Sequence, residues 1–354
     1  MPWLVPAWCG HMSPMRPQAG AARAALPPAP RGPVSRTEHV GGGGLPMTGR
    51  WDTDGPLFVE DVAGSTRPAA YYLAESRDGL YVPYVLRTPA GHGHPFPFVF
   101  LAYGNGGGGI GWLREWVHTR PYLMERLLAA GYACGWGRYR TEVDLGFNRG
   151  GPLMVGGRQG MEVMNRSPLE FEDELAILQH IRRNPQVDAG NLGHVGISHA
   201  GEMLFKLAFR YPGIFRAGVA SEPANHEFLD LSLGDVAPVN PQTGLRDIEE
   251  MQMRDVAWVR ARANLPLARE RIAPIDVPIL VMGRDGDHLQ GLFRLSYELL
   301  IEGGKDAAWV SWDHPLHGYV APLTAGRAAR PDPVQERAID AVIAFLDRYM
   351  KPAG

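Results

Sequence analysis

"HVGISHAGE", residues 194–202, places one serine among small residues. Gly196-Ile197-Ser198-His199-Ala200 reads small-x-Ser-x-small. The apolar run "LGHVGIS" (192–198) precedes the serine, and the amphipathic run "AGEMLFKLAFRYP" (200–212) follows it. The first has the texture of a buried strand and the second of a helix. A serine on so sharp a strand-to-helix turn exposes its hydroxyl at the end of the sheet. The residues two before and two after it must be small, because they pack against each other. The alternative is a chance Gly-x-Ser-x-Ala in an ordinary connection, so the partners such a serine needs decide the reading.

A hydroxyl is a poor nucleophile until a base takes its proton. Downstream, "ILVMGRDGDHL" (279–289) offers Asp285 and Asp287 after one apolar strand pattern. "WVSWDHPLHGYV" (309–320) offers His314 and His317 after the next. Serine, acid and histidine thus follow one another on loops after successive strands, the chain order expected when such a turn carries the nucleophile. His317 is the candidate base and His314 reads as a structural loop residue. Either aspartate can be the acid.

Upstream, "FLAYGNGGGGIGW" (100–112) sets five glycines within six residues after a strand. Gly104-Asn105-Gly106-Gly107-Gly108-Gly109 fits the dinucleotide fingerprint G-x-G-x-x-G. That reading wants an acidic residue at the end of the second strand to hold a ribose, and this strand ends "GWGRYR". A Walker loop wants Gly-Lys-Ser/Thr, which is absent. Beside a nucleophilic serine the loop has another use: backbone N–H groups near Gly106 and Gly107 would join that of His199 in an oxyanion hole, and Asn105 would add a side-chain donor. One such donor lowers a barrier by roughly 3 kcal/mol. Glu222, after the strand "FRAGVASEP" (215–223), and Trp112 and Trp116, after the glycine loop, are candidates for the pocket. A buried ion-paired glutamate and a helix face of core aromatics are the alternatives.

The wider pattern is consistent. "RPAAYYLAESRDGLYVPYVLRTPAG" (67–91) reads as two strands joined at Arg77-Asp78-Gly79. After it, strand patterns at 96–104, 132–139, 192–198, 215–223, 277–283 and 307–313 alternate with helical patterns at 120–132, 167–185, 200–212, 291–304 and 333–350. Ser167, Pro168 and Glu170 mark the start of one of these helices. Such alternation predicts an α/β fold: a mostly parallel sheet with helices on both faces and an antiparallel edge hairpin. Residues 55–354 read as a single domain. The less regular stretch 228–272 is either a small helical cap over the site or an ordinary connection. Residues 1–50, rich in Pro, Ala, Gly and Arg, lack periodicity and read as a disordered tail.

Composition narrows the classes. A net charge of −3 gives no electrostatic footprint for nucleic acid. No apolar run approaches about 18 residues, so no membrane span is expected. The first residues, "MPWLVPAWCGHM", lack a basic n-region, which reads as a cytoplasmic protein. Two cysteines, Cys9 and Cys134, argue against a disulfide framework and a thiolate metal site. His92 and His94 read as solvated loop residues, and neither a metal nor a cofactor is expected.

From about residue 70 to 350 the chain resembles the catalytic domain of the prolyl oligopeptidase family, near the dienelactone-hydrolase-like esterases of the α/β-hydrolase superfamily. "SRDGLYVPYVLRTP" (76–89) is similar to that family's entry strands, and "GRYRTEVDLGFNRGG" (137–151) to its strand, Tyr-Arg and glycine-rich loop. "VDAGNLGHVGISHAG" (187–201) is similar to its approach to the serine, and "HGY" (317–319) to its His-Gly-aromatic ending. The chain departs at Ala200-Gly201 after the serine, at Asn105 heading the oxyanion loop, and by one residue in the spacing from Gly283 to either aspartate. Asp287-His288-Leu289 is similar to the Asp-x-aliphatic run that places the acid in many hydrolases, which favours Asp287 over Asp285. The resemblance implies an acyl-transfer serine hydrolase acting on a small ester. A short peptide substrate is the second reading, and a non-catalytic binding protein on this fold the third. No repeat of propeller-blade length is present, which favours the ester.

Overall fold

β4 (Phe96–Tyr103) explains why the sheet is buried on both sides. Side chains alternate across a strand. Phe98, Phe100 and Ala102 enter one hydrophobic core while Val99 and Leu101 enter the other. The structure is a computed structural model that describes residues 54–91, 95–104, 108–140, 169–232, 251–324 and 330–351. These fall within one unit, Arg50–Gly354. The expected tail, His92 and His94, the Asn105–Gly107 segment, the Ser167-Pro168 start signal and residues 233–250 lie outside the described residues.

β5 (Ala133–Trp136), β6 (Val187–Ile197), β7 (Ala217–Ser221), β8 (Ile279–Asp285) and β9 (Ala307–Asp313) join β4 in a six-stranded sheet of order β5-β4-β6-β7-β8-β9. Every pairing in it is parallel. β1 (Phe58–Glu60), β2 (Ala69–Glu75) and β3 (Tyr81–Leu86) form an antiparallel sheet. The turn from β2 to β3 has Gly79 at φ 82°, as the Asp-Gly pair foretells. β3 then runs antiparallel beside β5 through paired backbone bonds between Arg87 and Cys134, each 2.9 Å. The hairpin is therefore the antiparallel edge that the sequence predicts. β1 was not foreseen: at three residues it is too short to show a period.

One face is covered by α1 (Gly109–Thr119), α2 (Tyr122–Ala129) and α8 (Pro333–Met350). The other is covered by α3 (Leu169–Ile181), α4 (His199–Arg210) and α7 (Gln290–Glu302). α5 (Val256–Arg260) and α6 (Leu265–Ile272) sit against α7, burying Val259, Ala268 and Ile272 in the same core. Each fully buried aliphatic or aromatic side chain contributes about 1.5–3 kcal/mol. The two cores so hold the strand ends, and every connection leaving the carboxyl edge of the sheet starts from a fixed point.

The last of those connections is pinned by α8. Asp332 closes a capping box, accepting from the N–H groups of Val334 and Gln335 at 2.8 and 2.9 Å while Gln335 reaches back to its N–H. The other oxygen of Asp332 meets His314 Nε2 at 2.9 Å. His314 is buried and its Nδ1 accepts from Leu316 N–H at 3.1 Å, so it is the structural loop residue expected. Burial works against the Asp332 carboxylate, but the cap and His314 outweigh it and hold its pKa below the usual value. A depressed acid stabilises the fold above its unfolded pKa, and that contribution is lost as pH falls through the folded value. Asp332→Ala is therefore expected to cost about 1–2 kcal/mol at neutral pH. In thermal melts its Tm deficit should narrow on acidification, and a pH-independent deficit would contradict the electrostatic account.

Candidate active site

Ser198 stands between β6 and α4 with φ 63° and ψ −128°, one of three described non-glycine residues at positive φ. Such a backbone costs on the order of 1–3 kcal/mol and persists only where its surroundings impose it. Here they do. A Cβ on Gly196 would lie 2.1 Å from the Ala200 carbonyl oxygen, so only glycine lets the strand pass the helix start. Ser198 N–H donates to the Ser221 carbonyl at 2.9 Å, and its own carbonyl accepts from Gly201 N–H at 2.8 Å. The turn is the one read from small-x-Ser-x-small. It leaves the serine half-buried at the carboxyl edge of the sheet, where ligands of open α/β sheets bind.

Four other strand ends meet there. Gly318, after β9, has φ 70°, and a Cβ on it would fall 2.6 Å from Tyr103 at the end of β4 and 3.3 Å from Ile197 beside the serine. That contact brings His317 to the same edge. His317 Nδ1 lies 3.1 Å from Glu222 Oε1 and 3.6 Å from Asp287 Oδ2. Both carboxylates are fully buried, while the imidazole keeps 33% exposure. Asp285 is elsewhere: it is exposed and accepts from Ser311 Oγ at 2.5 Å. Of the two aspartates, Asp287 is the one beside the histidine.

The sequence reading missed Arg284. Its Nε donates to Glu222 Oε1 at 3.1 Å and to Asp287 Oδ2 at 2.9 Å, its Nη2 to Asp287 Oδ2 at 2.5 Å, and its Nη1 to the His314 carbonyl at 3.2 Å. Adjacent carboxylates tolerate burial only with such a cation. The ligand atoms of Glu222, Asp287 and His317 lie within 4.8 Å of one another, a spacing a metal ion could bridge. The guanidinium already supplies positive charge there. Burial raises the Asp287 pKa, but its contacts with His288 and His317 and the hydrogen bond from Leu289 N–H carry it far below the usual carboxylate range. For His317 burial opposes the charged form, and the charge of Glu222, together with that of Asp287 beside the same nitrogen, raises its pKa well above 6.5.

Around this centre, Arg138 Nη1 donates to the Tyr103 carbonyl at 2.6 Å and Tyr139 OH to that of Gly104. The Arg-Tyr of "GRYR" thus fixes the root of the glycine loop. Asn105, Gly106 and Gly107 lie outside the described residues. His199 opens α4, where the first N–H groups have no acceptor within a helix. Its buried ring is held by Glu170 at 2.8 Å and Glu202 at 2.9 Å. Trp112 and Trp116 stack at 4.3 Å, and Trp116 meets Tyr103 at 4.5 Å. Trp116 is 8% exposed and belongs to the core, whereas Trp112 is only partly covered. The guanidinium of Arg138 lies 4.0 Å from the Trp112 ring centre.

No protein-family model matches the chain and no curated protein matches its sequence. Solved structures do match its fold. One of two fungal esterases from Rhizomucor miehei superposes with a TM-score of 0.54 at 15% identity, over 80% of this chain and 83% of that one. An esterase from Pyrobaculum calidifontis gives 0.52 at 17% identity, over 82% and 87%. The acylaminoacyl peptidase of Pyrococcus horikoshii gives 0.54 at 18%, over 82% of this chain but 43% of the peptidase. At these identities the likeness concerns the fold, which is that of the α/β-hydrolases.

The strain at Ser198 is measurable without any activity. Ser198→Gly relieves it, whereas Ser198→Ala keeps it. After the roughly 0.5–1 kcal/mol that glycine costs through unfolded-chain entropy, the glycine variant is expected to be the more stable by about 1 kcal/mol. Equal or reversed melting temperatures would show that the turn is not strained.

Proposed function

We propose that the protein is a serine hydrolase that cleaves carboxylic esters through an acyl-enzyme. The observation that carries this reading is the meeting, at one sheet edge, of a serine on a strained turn with a histidine backed by buried carboxylates. Carboxylates only accept hydrogen bonds, so Nδ1 of His317 carries the proton and Nε2 is the basic nitrogen. Nε2 takes the Ser198 proton as Oγ adds to the ester carbonyl carbon. The negative oxygen of the tetrahedral intermediate is stabilised by His199 N–H and by the glycine loop at Gly106 and Gly107, with Asn105 as a further donor. The imidazolium then protonates the departing alcohol. Water, deprotonated by the same nitrogen, adds to the acyl carbon, and the collapse returns the proton to Ser198. Asp287 contributes negative charge on the Nδ1 side throughout. Trp112 forms a wall of the acyl pocket, with Trp116 behind it. No cofactor enters this cycle.

Esterases among the structural relatives support an ester substrate, and the peptidase relative supports a short peptide as the second reading. No helix among the described residues is long and apolar enough to cross a membrane. Turnover of p-nitrophenyl acetate beside an aminoacyl p-nitroanilide separates the two substrates, and turnover of neither would favour a binding protein. The expected result is ester cleavage that Ser198→Ala reduces by on the order of 10³ or more, while Asp285→Asn stays within about tenfold of wild type. Because the base must be neutral, kcat/KM should rise with pH through the elevated His317 titration, above the ordinary value of 6.5. A Ser198→Ala variant with near wild-type turnover would overturn the proposal.

A further inference from the structure

Two carboxylates flank one imidazole nitrogen, and their surroundings divide the work between them. Asp287 Oδ2 is 3.6 Å from His317 Nδ1, beyond hydrogen-bond length, and receives two bonds from Arg284 at 2.9 and 2.5 Å. Its Oδ1 accepts from Leu289 N–H at 2.8 Å and lies 3.2 Å from His288 Nδ1. Its accepting capacity faces its own loop. Glu222 is placed differently. Its Oε1 lies 3.1 Å from His317 Nδ1 and takes one bond from Arg284, also 3.1 Å. Its Oε2 accepts from Gly318 N–H at 2.7 Å. One side chain thus stands in ion-pair contact with the ring and accepts from the backbone of the residue after it. Its own backbone is unusual, with φ 51°, and its N–H donates to the Met282 carbonyl at 2.7 Å. The strain at Glu222 and the strain at Ser198 belong to adjoining strand ends, joined by the Ser198 N–H to Ser221 carbonyl bond.

We infer that Glu222, on the strand that follows the nucleophile's, is the positioning carboxylate that binds Nδ1–H of His317 and fixes its tautomer and angle, and that Asp287 acts one step away by holding Arg284 and adding charge. The inference rests on the hydrolase reading for its catalytic consequence but not for the contact itself. The charged and titratable groups around the ring are Glu222 after β7, Arg284, Asp287 and His288 at the end of β8, and Tyr103 at the end of β4. Replacing Glu222 by glutamine keeps shape and an acceptor but removes the charge nearest the ring. The imidazolium loses its main support, so the pKa of His317 falls.

The test is a histidine NMR titration of the full chain, run beside kinetics, for wild type, Glu222→Gln, Glu222→Asp and Asp287→Asn. The His317 midpoint should fall by about one pH unit or more in Glu222→Gln and by less in Asp287→Asn. The acid limb of kcat/KM should move down with it. Loss of the orienting charge should reduce kcat by about 10²–10⁴ in Glu222→Gln, with KM nearly constant, against about tenfold for Asp287→Asn. Glu222→Asp retains the charge one methylene away and should recover part of both effects. If Glu222→Gln does not fold, Glu222→Asp against Asp287→Asn decides, since shortening the reach of the Glu222 carboxylate should still lower kcat more than removing the Asp287 charge does. An unshifted midpoint in the Glu222 variants, with a large shift in Asp287→Asn, would overturn the inference and return the role to Asp287. Wild-type protein without ester turnover but with these NMR shifts would sink the hydrolase reading alone.

Discussion

The turn at Ser198 exists because a strand and a helix are forced into contact at Gly196 and Ala200, with no room for a side chain on the first. That contact sets the serine's backbone at φ 63°. It also directs α4 down across the sheet, where Met203, Leu204, Phe205 and Leu207 enter the core. The strain is local and the packing that opposes it is distributed. A cost of roughly 1–3 kcal/mol is small beside burial of even two such side chains at about 1.5–3 kcal/mol each. The strained turn is therefore held firmly by the packing around it.

Electrostatics imposes the second constraint. Glu222 and Asp287 are both without exposure, and adjacent carboxylates in that state repel and lose hydration. Arg284 answers both. It stands next to last in β8 and reaches Glu222 just after β7, so the parallel register of these strands becomes a requirement of the charge arrangement. His317 completes the set from the far side. Removing its proton therefore leaves two carboxylates against one guanidinium, which is why its ring holds a proton more tightly than a free histidine. Below the turn, the buried Glu170, His199 and Glu202 stand in contact under α4, and Lys206 ties Glu202 to Glu227 at 3.6 and 2.7 Å.

Much of this was legible in the sequence because it depends on local pattern. Small residues flanking Ser198 announce a tight turn, alternating strands and helices announce a parallel sheet, and chain order points from Ser198 to Asp287 and His317. What was not legible depends on where separate strand ends meet. The Asp-x-aliphatic run favours Asp287 over Asp285, but the physical reason lies beyond the sequence: β8 runs on through Asp285 and directs that side chain to Ser311. Glu222 reads in the sequence as a pocket residue or as a buried glutamate paired with an arginine, and Arg284 provides that pair; nothing in "SEPANH" signals a histidine nearly a hundred positions later. Arg284 looked like one of many arginines, although its place directly before the two aspartates was an available clue. The glycines at its start disguise α1, so the spacing of Trp112 and Trp116 leaves a pocket wall and a helix face of core aromatics as alternative readings; both stand on α1. The roles of Asn105, Gly106 and Gly107 rest on the sequence alone.

The central claim is that Ser198 becomes acylated. Mass spectrometry of the protein after treatment with a fluorophosphonate tests it most directly, since that reagent mimics the tetrahedral adduct on an activated serine. The account predicts one adduct per chain, mapped to the peptide containing Ser198, and formed faster as pH rises through the His317 titration. A folded protein that takes no adduct, or takes it at another residue, would contradict it.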